Sequence, residues 1–69
     1  MKLFVWDNVL REQSSGIAFA LADTVEEARR LIIQKQEKDD GYKSKTLALD
    51  LLEKPLIIDK KEGFYLWGT

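Results

Sequence analysis

The chain reads as a small α+β domain of order ββααββ: a four-stranded, mainly antiparallel sheet with two helices on one face. Three observations predict this. An apolar run of period two, Gly16 to Ala22, leads straight into a capped amphipathic pattern; a second helical stripe is cut off at Pro55; and short strand pairs with tight connections stand at both ends. The 69 residues make one domain, 1–69. A single core of this size supplies only about 3–5 kcal/mol of net stability.

Taken in order, Lys2 to Val9 alternates Leu3, Val5, Asp7 and Val9 against Phe4, Trp6 and Asn8, with the β-branched and aromatic types that suit a pleated surface. Polar residues Arg11 to Ser15 lead to Gly16 and turn the chain back as a hairpin. The second strand places Ile17, Phe19 and Leu21 on one side and Ala18, Ala20 and Ala22 on the other, so both sides are apolar. Thr24 and Glu27 fit a capping box, in which hydroxyl and carboxylate satisfy free backbone donors at a helix start. Val25, Ala28, Leu31, Ile32 and Lys35 then form one helical stripe, with Glu26 and Glu27 at the positive end of the helix dipole.

Gln36 to Ser44 is charged, contains Gly41 and lacks an apolar period, which predicts a loop in which Gly41 ends a helix or makes a turn. Ser44 is placed to cap a second helix over Lys45–Lys54, with Leu47, Ala48, Leu51 and Leu52 as its stripe and Leu49 outside it. Proline cannot continue the backbone ladder, so Pro55 stops this helix. Leu56 to Asp59, a turn over Lys60–Gly63, and Phe64 to Trp67 read as a closing hairpin.

Two helices cover one sheet face. The bulky residues Leu3, Val5, Ile17, Phe19 and Leu21, with Phe64 and Leu66, are the ones expected beneath them. The opposite face then carries Phe4, Trp6, Ala18, Ala20, Tyr65 and Trp67, together with Ile57: flat alanines flanked by rigid aromatics, a composition enriched at interface hot spots. Two readings of that face stand side by side. Either loops or a Trp6–Trp67 cross-strand cluster close it, or it meets a protein partner or a second copy in a homodimer.

Chemistry is excluded more readily than it is assigned. Without cysteine or histidine there is no thiolate, no disulfide and no common transition-metal ligand, and Ser14 and Ser15 lack a histidine to activate them. Asp39-Asp40-Gly41 reads as a solvated turn, because hard cations need a larger spaced set of oxygens. Asp7 and Asp23 are explained by a strand end and a helix start rather than as an acid–base pair. The four glycines are isolated, so no phosphate-binding loop occurs. No enzyme, metal or cofactor is expected.

Eleven basic and twelve acidic residues give a net charge of −1, which provides no field to draw the chain to nucleic acid or anionic lipid. An aromatic sheet can stack bases, but Lys2, Arg11, Lys60 and Lys61 lie scattered among acids, and the strand order differs from the βαββαβ of RNA-recognition modules. No apolar run approaches the ~20 residues of a membrane helix, and Met1-Lys2-Leu3-Phe4 enters a strand pattern instead of a signal-peptide core. The expected setting is the cytoplasm.

Leu3-Phe4-Val5-Trp6, Ser15-Gly16-Ile17-Ala18, Thr24-Val25-Glu26-Glu27-Ala28 and Gly63-Phe64-Tyr65-Leu66-Trp67-Gly68 together resemble, in style and across the whole chain, the very small α/β proteins of bacteriophages and bacterial mobile elements. That resemblance implies a stoichiometric inhibitor of a host defence system, as anti-CRISPR proteins are. The strand followed by Thr24–Ala28 is also similar to HicB-type antitoxins, which implies a small nucleic-acid-binding regulator as the alternative. The proline- and glycine-containing segment before the helix and the DNA-binding tail of that family are missing here.

Overall fold

The computed structural model describes residues 1–10, 16–63 and 65. Strand β1 spans Lys2–Val9 and β2 spans Gly16–Ala22; helix α1 (Val25–Asp40) and helix α2 (Lys45–Asp50) follow, and β3 is Leu56–Ile58. The class is α+β, as the sequence predicts. Among the described residues the sheet has three strands in the order β2-β1-β3, both pairs antiparallel. The expected fourth strand over Phe64–Trp67 lies outside the described residues except for Tyr65, which is exposed and not in a strand. The expected turn over Arg11–Ser15 also lies outside them.

Local sequence explains the helix ends. The Thr24 hydroxyl accepts the Glu27 backbone N–H (3.2 Å), while the Glu27 carboxylate reaches back to the N–H of Asp23 (3.0 Å), one residue before the cap. At the other end Gly41 adopts φ 80° and donates its N–H to the Glu37 carbonyl at 2.8 Å. Helix α1 is therefore longer than the sequence reading, taking in Gln36–Asp40 where a loop was expected. Gln36, Glu37 and Lys38 are good helix formers, and Asp39, a weaker one, pairs with Lys35 at 3.1 Å one turn back. Gln36 then holds the connection, donating to the Tyr42 carbonyl (2.9 Å) and accepting from the Ser44 N–H (2.9 Å).

Ser44 caps α2 through the Leu47 N–H at 3.1 Å. The regular helix stops at Asp50 and continues as turns before Pro55, so it is shorter than expected. Of its predicted stripe only Leu47 and Leu51 are buried; Ala48 and Leu52 face solvent, as does Leu49.

The sheet is turned over relative to the expected arrangement. Phe4, Trp6, Val9, Ala22, Ala28, Leu47 and Leu51 form the core cluster, with Ala18, Ala20 and Ile32 packed against it. The helices cover the aromatic and alanine face, and the large aliphatics of β2 point away from them. Complementary volumes explain this choice. Alanines on β2 let α1 lie close, through Ala28, while Phe4 and Trp6 on the central strand fill the space beside it and under α2.

A bulge completes the core. Register shifts between Asp7 and Val9, where Asn8 takes φ 64°, so Val9 turns to the helix side although simple alternation puts it with Leu3 and Val5. Asparagine is among the residues that tolerate this left-handed backbone. Gly16 stands opposite Val9, and a Cβ there would lie 2.9 Å from the Val9 carbonyl oxygen, which is why this position takes glycine.

Candidate functional site

Phe4 and Trp6, expected on an open partner-binding face, are 3% and 2% exposed and belong to the core. Their rings stack at a centroid distance of 6.5 Å. The Trp6 indole Nε1–H donates to the Glu53 carbonyl at 2.8 Å and so ties the central strand to the turn after α2. An indole N–H buried under a helix needs such an acceptor, and a carbonyl just past a helix end is free to supply it. Ala18 and Ala20 are half-buried beneath α1. What covers the alanines is the chain's own helix. Ile57 is opposed to Phe4 but remains 44% exposed. Tyr65 is exposed, and Trp67 lies outside the described residues.

The open surface lies on the other side. Cross-strand register places Leu21 beside Leu3, Phe19 beside Val5 and Ile17 beside Asp7, with Ile58 and Leu56 continuing the Leu3 and Val5 rows on β3. Ile17, Phe19, Leu21 and Leu56 are 53%, 65%, 59% and 50% exposed. Among the described residues of this face only Val5, between Phe19 and Leu56 at the centre, is buried. The bulk of these side chains alone predicts a place in the core. The signal for the opposite orientation is the row of alanines in β2, which fits a close helix better than an open surface.

Along β2 an apolar groove of about 320 Å³ is lined by Ile17 and Phe19 from the open face, Ala18 and Ala20 from the helix face, and Leu31 and Ile32 of α1. Side chains from both faces of one strand meet at its edge, so the groove opens along the outer edge of β2, and Val9, Leu10 and Leu47 line its inner end toward the core.

Several polar groups elsewhere have structural partners. The Asp50 carboxylate accepts the Leu10 backbone N–H at 2.8 Å, where Leu10 has φ 55°, and Arg29 Nε–H donates to the Leu51 carbonyl at 2.7 Å. Asp39 pairs with Lys35, and Asp40 accepts from Gln36. Among the described residues no group of three or more acidic side chains is placed to hold a metal ion, and no helix is long and apolar enough to cross a membrane. Comparison with protein-family models, curated proteins and solved structures finds no match to the chain.

Proposed function

We propose that this chain is a non-enzymatic protein-interaction module whose partner-binding surface is the open apolar face of the sheet. One observation carries the reading: Ile17, Phe19, Leu21 and Leu56 are each half exposed or more and share that face with Leu3 and Ile58. Contiguous exposed apolar surface marks contact sites, because leaving it in water forfeits roughly 25 cal/mol per Å². The face is formed by regular strands, so a partner meets it without ordering a loop first.

The narrower reading, a phage or mobile-element inhibitor that binds one host protein stoichiometrically, rests on the sequence resemblance alone. Affinity capture from a bacterial lysate tests both levels. The wild-type chain retains a defined partner, and Leu56→Lys and Leu21→Lys, with unchanged circular dichroism, lose it. Retention by both variants removes the open face as the binding surface. Inhibition of the captured protein at a one-to-one ratio supports the narrower reading, and undiminished activity excludes it.

A further inference from the structure

The outer edge of β2 is unpaired among the described residues: the strand has β1 as its single hydrogen-bonded neighbour. Natural edge strands are guarded by charge, proline, bulges or shortness, since a row of free backbone donors and acceptors recruits another strand. Gly16–Ala22 is seven residues long and contains no charged residue and no proline. An apolar groove runs along it.

We propose that the occupant of this edge is β2 of a second copy of the chain, paired antiparallel about a two-fold axis through Phe19. The sequence of the strand is nearly symmetric about that residue. In this register Ala18 opposes the partner's Ala20 on the helix face, and Ile17 opposes the partner's Leu21 on the open face. Phe19 meets Phe19 of the partner subunit at the axis. Small residues meet small ones and large meet large, which an isologous contact requires and a shift by one residue destroys. The described three-stranded sheets join into a continuous sheet of six. Because α1 packs on β2, the two α1 helices come side by side, and Leu31, 40% exposed and lining the groove, gains cover.

Pairing at the edge leaves Leu56, on β3, available to the partner of the open face. Dimerisation and partner capture are therefore separable.

Sedimentation equilibrium of the full chain, with paired charge variants, tests the register. The wild-type chain is expected at twice the chain mass. Phe19→Lys and Phe19→Glu alone place like charges on each other at the axis and each sediment at the single mass, and an equimolar mixture of the two recovers the double mass. Because Phe19 is exposed, circular dichroism of both variants should match wild type. Opposed residues of an antiparallel pair have Cα atoms about 4.5–5.5 Å apart, inside the range of about 4.4–6.8 Å that a disulfide spans. In this cysteine-free chain, Phe19→Cys should oxidise to a covalent dimer, while Leu49→Cys on α2 does not. A wild-type chain of single mass overturns the proposal, whether its edge takes an extended segment of another protein or stays bare. So does a double mass that persists in both charge variants, which would place the contact elsewhere. Leu56→Lys keeps the double mass, so loss of capture in that variant and loss of dimerisation in the Phe19 variants report on different surfaces.

Discussion

Both faces of the sheet are apolar, yet they are apolar in different ways. The helix-covered face alternates extremes of size across neighbouring strands, Phe4 against Ala20 and Trp6 against Ala18, and the open face sets large residues against large ones, Leu3 against Leu21 and Val5 against Phe19. A helix needs relief to nest into. Uneven rows provide it, whereas even rows form a flat surface suited to another flat surface. Hydrophobicity alone therefore does not distinguish the two faces, and side-chain volume decides which of them the helices cover. Polar detail reinforces the difference, because the only indole placed among the described residues has its acceptor inside the fold.

The strongest way to break the comparison is to remove the anchor of the covered face. Trp6→Ala takes away a fully buried ring and the bond to Glu53. It should cost about 3–5 kcal/mol, which matches the whole stability expected of a core this small. Far-UV circular dichroism at ambient temperature should show an unfolded chain. A cooperative thermal transition near that of wild type would mean that Trp6 is not the keystone of the core.

Next in size is an addition instead of a deletion. Ala28 has no exposed surface and lies where α1 meets β2. Ala28→Leu keeps high helix propensity but adds three carbons where the elements nearly touch, so a loss of about 1–3 kcal/mol is expected in urea denaturation. Neutral behaviour would show that α1 is free to lift off the alanines, and the contrast of volumes would then not be what selects the face.

What the sequence makes legible follows the range of the interaction. Thr24, Gly41 and Ser44 act on backbone groups a few residues away, and each is found in its expected role. The alternation in β1 and β2 was equally local and gave the strands. Which side faces inward depends on interactions between residues far apart in sequence, such as the Trp6–Glu53 bond and the core cluster that joins Phe4 and Trp6 to Leu47 and Leu51, and no periodicity reports them. The bulge at Asn8 is a second case. It reverses the side on which Val9 falls, and only a left-handed backbone angle reveals it. The burial of Phe4 and Trp6 follows the same rule, since only the choice of inward face decides whether they are core or surface. Gln36–Asp40 shows a different limit: strongly charged and without an apolar period, it is held helical by side-chain pairs on an exposed surface.

Thr24→Ala comes third and tests the junction between the faces, where β2 ends and α1 begins. Loss of the hydroxyl leaves the Glu27 N–H to water. About 1 kcal/mol is expected in urea denaturation. The Glu27 carboxylate, which caps Asp23 and not Thr24, should keep its bond in the variant. A loss of only a few tenths would identify Glu27 as the main determinant of the helix start, and Glu27→Ala would then be the more damaging change.

The smallest effect on stability is expected on the open face. Leu56 is half exposed on β3, an edge strand among the described residues, where lysine is a common natural guard. Leu56→Lys removes an apolar side chain as Trp6→Ala does, but its stem can still lie along Val5 while the ammonium stays in water. Stability should therefore change by no more than about 0.5 kcal/mol, roughly a tenth of the Trp6 effect at its upper bound. Urea denaturation of the two variants side by side measures that ratio directly. If Leu56→Lys instead approached the cost of a core truncation, Leu56 would be covered within the monomer in solution, and the open face would be a second core and not a surface held for a partner.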